Sequence, residues 1–186
     1  MPASLPTLLT WSRILMIPVL AAVYYSPIAY VGPITAGLFA ITAVTDWLDG
    51  YLARKFNQTT EFGSFLDPVA DKLMIAAVLV LLVQSYPTLW VTAPAIVIIS
   101  REITISALRE WMAQLGAGSS VAVSWLGKIK TAAQMASLTL LLMAKGQPDN
   151  GIFELGLALL YVAAALTVWS MSNYLWSARK VIKTSN

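Results

Sequence analysis

Charged residues are so sparse along this chain that the uncharged intervals between them set its architecture. Ile14 to Thr45 is an unbroken run of 32 uncharged residues, and Leu73 to Ser100 is a second run of 28. A helix crosses the hydrocarbon core of a bilayer in about 20 residues, so each run is too long for one crossing and too short for two. Pro27, Gly32 and Pro33 break the first run near its middle, and Pro87 breaks the second between Ser85 and Thr88. Two helices per run must therefore borrow residues from beyond its ends. The first pair takes in Arg13 at one end and Asp46 and Asp49 at the other; the second takes in Asp67, Asp71 and Lys72, then Arg101 and Arg109. Two further apolar stretches follow. The pattern predicts an all-α integral membrane protein of six transmembrane helices, at about 7–26, 33–54, 64–85, 88–112, 120–144 and 151–178. Residues 1–186 form a single domain on this reading, with 1–10 as a short interfacial lead-in.

Charge placement orients these helices. The reversals near 26–33 and 84–90 carry no charge, and Lys145 is the only basic residue of the third, beside Asp149 and Glu154. The other 11 of the 12 basic residues fall at the opposite ends. Lys and Arg collect on cytoplasmic ends, so both termini are expected in the cytoplasm. Seven of the nine acidic residues share that side, and ionisable groups within spans usually face a protein interior or a water-filled cavity. The expectation is a polar cavity opening to the cytoplasm. The start of the chain has no basic segment or small-residue cleavage site of the kind that marks a signal peptide.

Composition narrows the chemistry. The chain is 58% hydrophobic and 11% charged, against about 25% charged in an ordinary soluble domain. This excludes a secreted domain, a disordered tail and a cytosolic enzyme. The net charge of +3 is too small to suggest nucleic acid. Cysteine and histidine are both absent, which removes disulfides, Ser-His and Cys-His catalysis and the usual zinc ligands. Carboxylates, amines, guanidinium groups and hydroxyls are left.

The central segment concentrates such groups: Asp46-x2-Asp49-Gly50-x2-Ala53-Arg54-x8-Gly63-x3-Asp67-x3-Asp71. Positions three or four apart share a helix face, so Asp46 and Asp49 project together from the end of the second helix. Asp67 and Asp71 project together from the start of the third, and a loop of about nine residues folds one pair onto the other. Four carboxylates in a low dielectric repel strongly unless a cation lies among them. Without His or Cys that cation is hard and oxygen-loving, Mg2+ or Mn2+, and four carboxylates suffice to bridge two ions. Gly50 and Ala53 leave bare helix where a flat group could touch backbone, and Arg54 offers a fork for phosphate oxygens. Gly63 permits the tight loop, and Ser64 with Pro68 marks a start for the third helix. The competing reading makes these charges bundle-holding salt bridges, with Arg54 and Lys72 as partners. Four carboxylates at helical spacing, with two small residues among them, favour a site.

At these residues the chain resembles the CDP-alcohol phosphatidyltransferase family, whose signature D-x2-D-G-x2-A-R-x8-G-x3-D-x3-D is matched at every position. The resemblance implies a six-helix membrane fold, two divalent ions, and displacement of CMP from a CDP-activated lipid by an alcohol. It implies that Asp46, Asp49, Asp67 and Asp71 are metal ligands and that Asp71 is also the base for the attacking hydroxyl. Gly50 and Ala53 would receive the cytidine and Arg54 the diphosphate, with Gly63 and Thr10 also in contact with the CDP-lipid. With no histidine nucleophile, direct transfer is favoured over a covalent intermediate.

A second cluster lies further on. Arg101-Glu102 and Arg109-Glu110 recur eight residues apart, placing both arginines near one face of the fourth helix, and Lys128 and Lys130 follow the Gly116-Ala117-Gly118-Ser119-Ser120 loop. Such a basic group suits an acceptor carrying a phosphate; the plainer reading is cytoplasmic positive charge with local Arg-Glu pairs. The stretches Pro6 to Thr10 with Arg13, Ala43 to Trp47, Arg101 to Glu110 and Ser119 to Thr131 resemble bacterial members of the family that take sn-glycerol 3-phosphate as acceptor and CDP-diacylglycerol as donor. The pattern departs from the wider family at Thr7, where many relatives have Asn after the proline. The resemblance implies a multi-pass protein of the bacterial inner membrane among membrane lipid, with its site facing the cytoplasm, and raises the prospect of a homodimer. Synthesis of cardiolipin or phosphatidylinositol phosphate is the alternative within the family, and cation transport the alternative outside it. Trp90, Trp111, Trp125, Trp169 and Trp176 fall near span ends, as interfacial anchors do.

Overall fold

The computed structural model describes residues 5–55, 61–114, 125–147 and 150–185; within its helices the side chains of 5–9, 46–55, 61, 62, 64, 125, 126, 128, 173 and 177–185 lie outside the description. The described residues form six helices and no strand: α1 (Leu5–Tyr25), α2 (Val31–Lys55), α3 (Glu61–Ser85), α4 (Leu89–Gln114), α5 (Trp125–Met143) and α6 (Gly151–Ser185). The expected start of the fifth helix near 120, like Asp149, lies outside the described residues.

Two differences from the sequence reading bear on the site. The third helix does not begin at Ser64; it is already helical at Glu61, and Pro68 sits inside it. The nine-residue loop shrinks accordingly, because α2 runs to Lys55 and only 56–60 lie between the two helices. Proline is a poor boundary marker here for a physical reason. Pro18 and Pro94 are also inside helices, and in a bundle the backbone groups that a proline frees can be satisfied again by neighbours and by local adjustment of the helix. The sixth helix continues to Ser185, past the expected end near 178.

The helices pack as a bundle in which α1 lies against both α2 and α3, α2 against α5, α4 against α6, and α5 most extensively against α6. Leu20, Tyr24, Phe39, Leu79, Leu82, Ile98, Leu138, Leu141 and Leu160 fill the interior with no more than 1% exposure each. Small residues set two of the close approaches. A Cβ on Gly32 would lie 2.7 Å from the Met143 carbonyl oxygen, and one on Gly156 would meet the Leu141 side chain at 3.0 Å. Ser137 donates to the Gly156 carbonyl (2.7 Å), fastening α5 to α6 at that point.

Apolar side chains also cover the outside. Leu15, Ile41, Phe65, Val80, Ile103 and Trp169 are each more than 60% exposed, an outward surface suited to hydrocarbon rather than water. Leu89–Gln114 and Gly151–Trp176 are long and apolar enough to cross a membrane, and Thr10–Tyr25, Val31–Thr45 and Ile129–Met143 are shorter apolar segments. Trp90, Trp111, Trp169 and Trp176 are exposed, as interfacial anchoring requires; the side chain of Trp125 lies outside the description.

One end of the bundle is tied across all three reversals. Tyr24 at the end of α1 donates its hydroxyl to Ser85 Oγ at the end of α3 (2.6 Å). Tyr86, just after α3, donates to the Ala144 carbonyl (2.7 Å) and accepts from the Gly146 backbone. Lys145 donates to the Tyr24 carbonyl, with its ammonium 3.6 Å from the Tyr24 ring centroid. Gly146 is in the left-handed region (φ 80°), which glycine enters without penalty. Asn150 caps α6 by accepting from the Ile152 amide (3.1 Å).

Candidate active site

The polar residues gather toward the other end, in two groups. The first is built on α1 and α3. Asp67 and Asp71 lie one turn apart on α3, and both are met from α1 by residues that are themselves one turn apart. Thr10 donates to Asp67 Oδ1. Arg13 bridges the two carboxylates, with Nη1 3.1 Å from Asp71 Oδ1 and Nη2 3.7 Å from Asp67 Oδ1. The guanidinium is buried, its side chain 6% exposed, while each carboxylate is 43% exposed. The acids thus meet a fixed cation from α1 while remaining partly exposed, as carboxylates that must meet something from outside need to be.

A cleft adjoins this group, lined by Arg13, Asp71 and Met74, by Phe39, Thr42 and Ala43 of α2, and by Met135 of α5. Thr42 stands four residues before Asp46, so position 46 falls on the α2 face that borders the cleft. Asp46, Asp49, Gly50, Ala53 and Arg54 all belong to the last turns of α2, and their side chains lie outside the described set. Gly63 is buried near the start of α3. Among the described residues no three potential ligands come together; what is described is the α3 half, Asp67 and Asp71. The donor chemistry of that half fits a hard divalent cation, since it is oxygen alone and partly open.

The second group joins α4, α5 and α6. Glu102 Oε1 accepts from Arg101 Nη1 (2.9 Å) and from Lys130 Nζ (2.7 Å). Arg101 also donates through Nη2 to Ser170 Oγ on α6 (3.2 Å). Both cations are buried, Arg101 to 8% and Lys130 to 6% exposure. Arg101 Nε finds no acceptor among the described residues, so this buried guanidinium holds a donor to spare. Arg109 lies two turns further along α4, where Nε donates to the Tyr174 hydroxyl (2.9 Å) and the guanidinium sits 5.3 Å from that ring's centroid. Both arginines therefore engage α6. Lys128 is on the first turn of α5, its side chain outside the description.

Sequence reasoning missed Arg13 as the partner of the α3 acids, Lys130 as a second partner of Glu102, and Ser170 and Tyr174 as the α6 partners of the α4 arginines. One signal for Arg13 was available: it follows Thr10 by three residues and so shares its helix face. Ser170 and Tyr174 are likewise one turn apart on α6, yet nothing local links them to α4.

Relatives match the chain almost from end to end. It is 54% identical to the CDP-diacylglycerol–glycerol-3-phosphate 3-phosphatidyltransferase of Salmonella choleraesuis (strain SC-B67), over 96% of this chain and 97% of that one. The proteins of the same name from Sodalis glossinidius (strain morsitans) and Shigella flexneri are each 52% identical over the same shares. A family model described as CDP-alcohol phosphatidyltransferase matches residues 3–169, a span that takes in both polar groups as far as Arg101, Arg109 and Lys130. The chain belongs to the CDP-alcohol phosphatidyltransferase family.

Proposed function

We propose that this membrane protein transfers the phosphatidyl group of CDP-diacylglycerol to sn-glycerol 3-phosphate, releasing CMP and leaving phosphatidylglycerophosphate. The observation that carries the reading is identity above 50% over 96% of the chain to proteins named for that reaction. The pairing of Asp67 and Asp71 against Arg13, next to a cleft, supports it from the chemical side.

In this reading Asp46, Asp49, Asp67 and Asp71 hold divalent cations, two of Mg2+ or Mn2+. When bound, the cations supply charge neutralisation at the diphosphate and acidify a nearby hydroxyl. The chain's own residues do the rest. Arg54 binds diphosphate oxygens, Gly50 and Ala53 let the cytidine approach backbone, and Gly63 and Thr10 complete the donor contacts. Arg101, Arg109, Lys128 and Lys130 receive the acceptor's phosphate and so aim its free hydroxyl. Asp71 takes the hydroxyl proton as the oxygen attacks the phosphorus bearing the diacylglycerol; the new P–O bond forms and the P–O bond to CMP breaks. Direct transfer is favoured over a covalent intermediate, since the chain has no histidine or cysteine nucleophile.

The setting follows from the same pattern. All six helices cross the bacterial inner membrane, residues 1–186 act as one domain with 1–10 at the interface, and both termini and the polar cavity face the cytoplasm. The separation of the charged groups from the tied end supports this orientation, with Lys145 alone among the basic residues at the tied end. Homodimer formation within the membrane is compatible with the outward apolar surface.

CMP release by purified protein in detergent tests the reading, with CDP-diacylglycerol, Mg2+ and, in turn, glycerol 3-phosphate, serine, inositol phosphate and phosphatidylglycerol. Release with glycerol 3-phosphate alone, lost on chelation and restored by Mg2+ or Mn2+, is the expected result. Release only with another acceptor would overturn the acceptor, and no release with any would overturn the reaction.

A further inference from the structure

Arg101 and Lys130 come from helices that do not pack extensively on one another: α4 rests on α6 and α3, while α5 rests on α6, α2 and α3. Backbone packing alone therefore does not set the distance between the two cations. A side chain does. Glu102 Oε1 accepts from Arg101 Nη1 at 2.9 Å and from Lys130 Nζ at 2.7 Å, so one oxygen gathers both nitrogens. On the far side Ser170 takes Arg101 Nη2 (3.2 Å), which fixes the plane of the guanidinium.

We propose that Glu102 is a positioning residue for the acceptor phosphate, holding Arg101 and Lys130 together so that a phosphate can be received by both. This rests on the reading of Arg101 and Lys130 as acceptor-binding groups. Two buried cations repel, and without an anion between them they separate or draw in water. With Glu102 between them the group keeps one net positive charge, and Arg101 Nε remains a donor without an acceptor among the described residues. A residual positive charge with a free donor suits a dianionic phosphate and gives a neutral hydroxyl compound little to bind. Among the described residues Glu102 accepts from the two acceptor-site cations, so its effect is expected on the acceptor.

The test is the steady-state kinetics of Glu102→Gln, which keeps the shape and removes the charge. The KM for glycerol 3-phosphate is expected to rise at least about tenfold, as loss of a charge-assisted arrangement does, with the KM for CDP-diacylglycerol within about twofold of wild type. Glu102→Asp keeps the charge but draws the carboxylate back by one methylene. Its KM for the acceptor is expected to stay raised, and this variant carries the test if Glu102→Gln does not fold. An unchanged acceptor KM in either folded variant, or a fall in thermal stability and kcat with both KM values intact, would overturn the positioning role. Absence of turnover with glycerol 3-phosphate in the wild-type protein, measured first, would instead overturn the acceptor reading on which the inference stands.

Discussion

Arg13 and Asp71, 58 positions apart in the chain, meet with Nη1 3.1 Å from Oδ1, and the same guanidinium reaches Asp67 at 3.7 Å. A buried cation from α1 thus holds two α3 carboxylates that remain partly exposed. Replacing Arg13 by Ala removes the cation and leaves the carboxylates to repel each other. Thermal unfolding should show a loss of about 1–3 kcal/mol, toward the lower end because the acids are partly solvated. Arg13→Lys should recover part of it, since an ammonium cannot reproduce a two-pronged contact. Unchanged stability in Arg13→Ala would show that the contact does not hold the helices.

Asp71→Asn preserves the size of the side chain and its place on α3 while removing the base. CMP release should fall at least about a hundredfold, with helix content kept and a modest fall in thermal midpoint, because Arg13 loses one of its two carboxylates. A variant that retains full turnover would remove Asp71 from the reaction.

Gly32 stands where α2 begins against the end of α5, and a Cβ there would meet the Met143 carbonyl at 2.7 Å. Backbone cannot turn aside as a side chain can, so Gly32→Ala should lower stability by about 1–3 kcal/mol through displacement of α5. Thermal unfolding in detergent would register it, and Gly37→Ala is the control, because a Cβ there meets nothing within 4 Å beyond its chain neighbours and its own helix backbone.

Tyr86 joins the second and third reversals through the Ala144 carbonyl. Burial pushes its hydroxyl up to about 12 from an ordinary value of 10.0. The folded protein therefore keeps this proton where the unfolded chain has lost it. The contribution is complete below pH 10 and disappears as pH rises toward 12. Tyr86→Phe should lower stability by about 1 kcal/mol at neutral pH, and should flatten the decline between pH 10 and 12. An equally steep decline in the variant would assign the alkaline transition to other groups.

What the sequence reveals and what it hides divide along physical lines. The shared face of Asp67 and Asp71 follows from helical spacing, and the Arg101-Glu102 pairing from adjacency; both are local. Arg13 against Asp71, Ser170 against Arg101 and Tyr174 against Arg109 span 58, 69 and 65 positions. Such contacts depend on which helices become neighbours, and apolar periodicity does not encode this when every face of a helix meets something apolar. The start of α3 was obscured differently. Ser64 and Pro68 carry the local chemistry of a helix start, yet the helix begins at Glu61, because a bundle can accommodate an interior proline.

The ties among Tyr24, Ser85, Tyr86, Ala144 and Lys145 have a mechanical consequence. They gather the three reversals into one knot, so the bundle is stiff at that end and cannot splay there without breaking several contacts together. The opposite end, where α2 and α3 carry the aspartates, is held instead by charged side chains: Arg13 between α1 and α3, and Glu102 between α4 and α5.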